Sequence, residues 1–235
     1  MIKLIYLFLG MKILLVSATE FEIDSIIEAL GTPLVINNHI NRYCTHHHQI
    51  DVLITGIGMV FTTFYLSTIL AKEQYDCSIN AGVAGAIDSS LTLGEVVNVM
   101  QDFFYELGAE DADNWIGINE LGFLEERDLP YAANGLFNNN MIALKQLINL
   151  KQVKGQTVNK IHGNAQSIKA MQSRSNAQIE SMEGAAFLYC CLQYKLPCAQ
   201  IRAISNRVEV RNKADWKMKE AILNLNLFVK ELLLN

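Results

Sequence analysis

Gln178-Ile179-Glu180-Ser181-Met182-Glu183-Gly184-Ala185-Ala186-Phe187 and, one helix further on, Ile201-Arg202-Ala203-Ile204-Ser205-Asn206-Arg207-Val208-Glu209-Val210-Arg211-Asn212 decide how this chain folds. In the first piece Glu183 stands where an apolar strand gives way to a small-residue helix start. In the second, Ser205-Asn206 stands where the strand Cys198 to Ile204 stops. Strand, helix and strand in succession describe an α/β sheet, and ligands bind such sheets at the carboxyl ends of their strands. Polar side chains of a buried type at two such ends mark a candidate site.

Working outward, Lys12 to Ala18 is a continuous Ile/Leu/Val run, as a buried parallel strand requires. Thr19 and Glu22 follow with capping-box spacing, and a helical pattern runs on to Leu30 before Gly31. Capping explains one glutamate without excluding a catalytic one at the mouth of the first strand. Gln49 to Thr55 predicts another strand and Met59 to Lys72 a long helix. Between them Gly56-x-Gly58 lacks the third glycine of a dinucleotide fingerprint, since Phe61 stands in its place. His46-His47-His48 read as a strand end, where consecutive side chains point to opposite faces and cannot share a metal. Cys77 to Ala81 predicts a strand running into a glycine-bearing turn, Gly82 to Ala86, and Glu95 to Met100 predicts another strand. Phe103 to Asn140 mixes aromatics with acids and reads as an excursion from the core, functional or merely packed on the surface. Thr157 to Ile161 predicts a strand, with His162 a polar loop residue after it. Asp215 to Leu233 predicts a C-terminal amphipathic helix burying Trp216, Ile222, Leu225 and Val229. Alternating strands and helices without a Pro/Gly-rich linker argue for one α/β domain, residues 11–235, with a mostly parallel sheet. Residues 1–10 read as an upstream extension before a start at Met11.

The 235 residues are 51% hydrophobic and 18% charged, which suggests a large core, an oligomer interface, or both. The formal net charge of −5, with no basic cluster, argues against nucleic acid as a partner. Five cysteines, odd in number and without a CxxC pair, predict free thiols in a cytoplasmic protein rather than disulfides or zinc. No stretch is long and clean enough for a transmembrane helix, so neither a membrane nor a metal or other cofactor is expected.

Glu22, Glu183 and Asn206 all fall at strand ends and can surround one small ligand. One carboxylate can polarise a water while the other grips vicinal hydroxyls, and an amide suits a heterocycle because it carries both donors and an acceptor. Such a set suits cleavage of a nucleoside, in which a carboxylate stabilises an oxocarbenium-like transition state and activates the attacking water.

From Met11 onward the chain resembles the nucleoside phosphorylase/nucleosidase superfamily over nearly its full length. The resemblance is carried by Lys12–Glu22, Asn80–Gly85, Gly94–Val97, Ser181–Phe187 and Arg202–Asn206. The tail Ser205-Asn206-x-Val208-Glu209-x-Arg211-Asn212 with Trp216 resembles the branch that cleaves futalosine, a nucleoside of menaquinone biosynthesis. The resemblance implies a nucleoside phosphorylase-like fold, with a central mixed, mostly parallel twisted sheet flanked by helices. It also implies hydrolysis with release of hypoxanthine. Glu22 then matches the acid that activates water, Met182 and Glu183 the ribose grip, Asn206 the purine contact near N7, and the Ala81-Gly82 segment the lining of sugar and base. Arg207 and Arg211 follow Asn206 and are candidates for holding a carboxylated 5′ group, with Ser205 beside them in the site. A homodimer or higher homo-oligomer is expected.

Three other readings compete. Bacterial phosphorylases of the superfamily bind phosphate through an Arg and a Ser near the glycine segment, where this chain has Asn80 and Val83. Their phosphate loop after the first strand is replaced by Ser17-Ala18-Thr19. A dianion without a cation is poorly held in a closed site, which favours water as the acceptor. An adenine-releasing nucleosidase shares the motifs but has Asp where this chain has Asn206. A non-catalytic nucleoside binder would need neither glutamate.

Overall fold

Along β1 (Lys12–Ser17) the side chains alternate between two buried faces, Ile13 and Leu15 on one and Leu14 and Val16 on the other. A strand apolar at every position must be covered on both sides, and this one lies inside a three-layer structure. The computed structural model describes residues 10–112, 114–124, 130–131 and 135–234. Nine of the ten residues read as an upstream extension, 1–9, lie outside the described residues.

A 3-10 turn (Glu20–Glu22) and α1 (Asp24–Leu30) follow β1. Next come β2 (Leu34–Asn37), β3 (Ile40–Cys44), β4 (Gln49–Ile54), α2 (Met59–Leu70) and β5 (Cys77–Ala86). Then come β6 (Val96–Asp102), a hairpin of β7 (Gly108–Asp111) and β8 (Asn114–Gly117), β9 (Leu136–Phe137), α3 (Lys145–Asn149) and β10 (Lys151–Thr157). The chain ends with α4 (Ala165–Arg174), β11 (Ile179–Ser181), α5 (Gly184–Gln193), β12 (Cys198–Arg207), a 3-10 turn (Lys213–Asp215) and α6 (Met218–Leu234).

The strand order of the main sheet is β11-β10-β6-β12-β5-β1-β4-β3-β2. Pairings around β1, along β5–β12 and through β6–β10–β11 are parallel, whereas β12–β6 and the β2–β3–β4 edge are antiparallel. β11 also pairs antiparallel with β5, so β5, β12, β6, β10 and β11 close on themselves. The closure sets Glu180 opposite Gly85, and Asn206 opposite the same glycine from the other side. The expected mixed, mostly parallel sheet holds. One face of it is covered by α1 and α6 and the other by α2 and α5, each interface a cluster of buried aliphatics.

Several local expectations change. Gly82 to Ala86 is not a turn but the second half of the ten-residue strand β5, which stays extended because β12 pairs with it as far as Ala86. The strand read at 157–161 ends at Thr157, where the chain turns toward α4. His46-His47-His48 lie in the turn between β3 and β4 rather than on a strand end. Trp216 precedes α6 and is half-buried, while Ile222, Leu225 and Val229 are buried as expected. Among the described residues no group of acidic, His or Cys side chains is arranged for a metal, and no helix is long and apolar enough to cross a membrane.

Asp102, at the end of β6, is fully buried. Its Oδ1 accepts from Phe103 N–H at 2.8 Å and Thr157 Oγ at 2.9 Å, and its Oδ2 from Gln200 Nε2 at 3.1 Å. Burial outweighs these bonds and pushes its pKa from 3.8 up to about 6. A carboxyl raised in the folded state favours folding fully below its unfolded pKa, and that contribution is lost as pH rises through about 6. The loss is on the order of 3 kcal/mol. Asp102→Asn is therefore expected to be more stable than wild type above pH 6 and to flatten the fall in stability between pH 4 and 6. The new amide N–H can meet Gln200 Oε1, a buried atom without a partner among the described residues, once that side chain turns over. Urea midpoints measured from pH 4 to 8 check this; equal slopes with pH for both proteins would contradict it.

Candidate active site

The second half of β5 is the floor on which the site is assembled. Glu22, in the 3-10 turn after β1, reaches it with Oε1, which accepts from Val83 N–H at 3.0 Å. Its Oε2 accepts from Thr19 N–H at 3.2 Å and Thr19 Oγ at 3.1 Å. One oxygen thus closes the cap, and the other is held over the sheet. Gly82 lies directly beneath. A Cβ there would fall 2.2 Å from Arg202 Nη1 and 3.1 Å from Glu22 Oε1, so only glycine lets the guanidinium lie flat on the strand.

Arg202 is the residue that sequence reasoning overlooked. It projects from β12, which pairs it with Gly82; it is almost wholly buried, and its Nη2 donates to Asn80 Oδ1. Its Nε has no partner among the described residues. The signal was visible as the one basic residue inside the apolar strand Cys198–Ile204, because a buried guanidinium needs anions nearby. Glu183, at the N-terminus of α5, supplies one. Its Oε1 accepts from Gly58 N–H at 3.0 Å, presented by a glycine with φ of 103° just ahead of α2. Burial raises the Glu183 pKa; the Arg202 charge opposes that shift, and the negative charge of Glu22 adds to it. Glu183 thus feels both the guanidinium of Arg202 and the carboxylate of Glu22.

At the far end of the floor, a backbone bulge between Ile204 and Asn206 turns Asn206 over Gly85. Ser205 Oγ donates to Asn206 Oδ1 at 2.8 Å, and Asn206 Nδ2 donates to Arg207 O at 2.8 Å. The oxygen is engaged, and the second amide N–H is left to donate. Ile161, His162, Val208 and Trp216 border the small cavity beside it, about 40 Å³ in volume. A larger cavity, about 370 Å³, lies under the β7–β8 hairpin among Tyr105, Trp115 and Arg174, away from both carboxylates. Charge and hydrogen-bonding groups, not volume, locate the site.

The structure groups Glu22, Gly82 and Glu183 around Arg202, and sets Ser205 and Asn206 further along β5, beside Ala84 and Gly85. Ala81 is not among them: its methyl packs in the core under the sheet. Met182 packs with the Tyr105–Val158–Ile168 cluster beside Glu183. Arg207 and Arg211 both line the small cavity; Arg207 donates to Asp88 O at 3.0 Å, whereas the Arg211 guanidinium stacks on Trp216 at 5.1 Å.

These strands, and the carboxylates over a glycine floor, belong to a known class. The chain is a member of the phosphorylase superfamily, whose family model matches residues 12–234. Among individual relatives, futalosine hydrolase of Thermus thermophilus is 32% identical, with 76% of this chain and 79% of that protein aligned. Aminodeoxyfutalosine nucleosidase of Campylobacter jejuni is 25% identical over 91% of this chain and 93% of its own. The fold also matches a mutant Helicobacter pylori nucleosidase with 5′-methylthioadenosine in its active site, at a TM-score of 0.77 and 18% identity, covering 95% of this chain and 98% of that one.

Proposed function

We propose that this protein hydrolyses the N-glycosidic bond of futalosine, releasing hypoxanthine and the dehypoxanthine sugar as a step toward menaquinone. The observation that carries this reading is the pair of carboxylates set about Arg202 on the β5 floor, with an amide donor at the other end of the same strand. It is supported by the named activities of the relatives.

In this reading Glu183 accepts the 2′- and 3′-hydroxyls while Met182 packs against the sugar. As the bond from C1′ to N9 lengthens, positive charge develops on the sugar beside the carboxylates. Glu22 Oε1 takes a proton from the water that adds to C1′, and Arg202 helps hold that water. The bond's electron pair leaves with the purine, whose N7 accepts from Asn206 Nδ2. Arg202 supplies the cation that sequence reading did not find near Gly82, but two carboxylates face it. The net negative charge disfavours a phosphate dianion, so water remains the acceptor. Incubating the protein with futalosine, with and without phosphate, tests the reading: free sugar identifies a hydrolase, sugar phosphate a phosphorylase, and no turnover a binder.

Asn206 chooses the base. Its free N–H can donate to N7 or O6 of a 6-oxopurine but meets another donor at the 6-amino group of adenine, a mismatch of about 1–3 kcal/mol. The 6-amino analogue should be at least about tenfold poorer in kcat/KM. Asn206→Asp should move the ratio toward the 6-amino substrate. Equal efficiency of wild type on both would place the enzyme with the adenine-releasing nucleosidases.

The 5′ carboxylate is assigned to Arg211, whose guanidinium lies over Trp216 at the edge of the base cavity, whereas Arg207, on the same cavity, is tethered to Asp88 O. Arg211→Gln should raise KM for futalosine severalfold and leave inosine unchanged; equal effects on the two would exclude a direct contact. The protein is further proposed to work as a homo-oligomer. α2 carries apolar side chains on its outer as well as its inner face and exposes Val60, Phe61 and Phe64, a patch that a second copy would cover.

A further inference from the structure

His162 reads from sequence as a polar loop residue, yet the fold has built a buried support for it. Glu180, only 3% exposed, directs both carboxylate oxygens at this one residue. Its Oε1 accepts from His162 N–H at 2.8 Å, and its Oε2 pairs with His162 Nδ1. Gln156 Nε2, itself buried, donates to the same Oε2 at 3.0 Å. Tyr105 packs edge-on against the imidazole, ring centroids 5.2 Å apart and planes 83° from parallel. Backbone, ring and acid are therefore fixed together, and the register explains where. Glu180 and Asn206 flank Gly85 from its two neighbouring strands, and His162 and Asn206 border the same cavity.

On the assignment of a purine nucleoside to this site, we infer that His162, oriented by Glu180, is a specificity-determining residue that reads N1 of the leaving base. A carboxylate only accepts, so in the neutral imidazole Nδ1 carries the proton and Nε2 keeps its lone pair. Asn206 offers a donor and His162 an acceptor. A 6-oxopurine presents the complement, acceptors at N7 and O6 and a donor at N1–H. Adenine presents a bare lone pair at N1, which faces the Nε2 lone pair. The two residues together would account for more discrimination than Asn206 alone.

The wild-type protein gives the first test. Inosine and 1-methylinosine, which lacks the N1 proton, are compared once futalosine turnover has been established; the methylated nucleoside should be at least about tenfold poorer in kcat/KM. Equal turnover overturns the inference and leaves the glycosidase reading intact, whereas failure to cleave futalosine overturns that reading first. His162→Ala should lower kcat/KM for the 6-oxo substrate about tenfold while changing the 6-amino analogue less than threefold. It should likewise weaken calorimetric binding of hypoxanthine but not of adenine. Glu180→Gln keeps the shape of the support but no longer dictates the tautomer, and should erode the same preference. Parallel losses on both substrates, in variants whose melting curves are intact, would reduce the pair to a structural role and overturn the inference.

Discussion

Glu22→Gln is expected to lower kcat by about 10²–10⁴-fold, the range seen when a general base is removed, while the protein still folds. The groups hydrogen-bonded to the Glu22 carboxylate donate to it: Thr19 N–H, Thr19 Oγ and Ser17 Oγ on one oxygen, Val83 N–H on the other. A glutamine must turn its own NH₂ toward one of them, at a cost of about 1–3 kcal/mol in stability. Thr19→Ala separates that cost from chemistry. It weakens the cap by about 0.5–2 kcal/mol but leaves Oε1 and its hold on Val83 in place, so kcat should stay within severalfold of wild type. Single-turnover rates and urea midpoints for the two variants check the pair of expectations. If Thr19→Ala and Glu22→Gln lose activity in proportion to stability, Glu22 is a cap and nothing more.

Glu183 should show itself through the sugar. Its Oε1 is engaged by Gly58 N–H, and the carboxylate is desolvated and feels the Arg202 charge. Hydrogen bonds to an ionised group contribute about 1.5–3 kcal/mol each. Removing the 2′-hydroxyl of the substrate should therefore reduce kcat/KM by about 10–100-fold. Glu183→Gln should cost about 10²-fold on the ribonucleoside, since it also leaves Arg202 short of a counter-charge. The same change should shrink the preference for ribose over deoxyribose, because the strong acceptor that created it is gone. A wild-type enzyme equally efficient on ribo- and 2′-deoxyribonucleosides would remove Glu183 from the sugar.

The superfamily, the mixed sheet and much of the site were legible in the residues alone, for a physical reason. A strand such as β1, apolar from Ile13 to Val16, can only be central, and a carboxylate or amide near the carboxyl end of a strand has few reasons to be there besides a ligand. Glu22, Glu183 and Asn206 carry that signal within a few residues of chain. What remained hidden depends on pairing between distant strands. The glycines of β5 looked like a turn because local propensity cannot register that β12 pairs with them as far as Ala86. Arg202 was passed over because its neighbours in sequence are apolar, and only the register opposite Gly82 sets it between two carboxylates. Arg207 and Arg211 are equivalent in sequence; the former meets Asp88 across the fold, while the latter folds back locally onto Trp216. His162 is 18 residues from Glu180, and nothing in either segment predicts their pairing. The closure of β11 onto β5 creates that pair, because it sets Glu180 and Asn206 on opposite sides of one glycine. Composition and periodicity determined which residues must be buried and which strand ends carry chemistry. Tertiary register decided which charges meet.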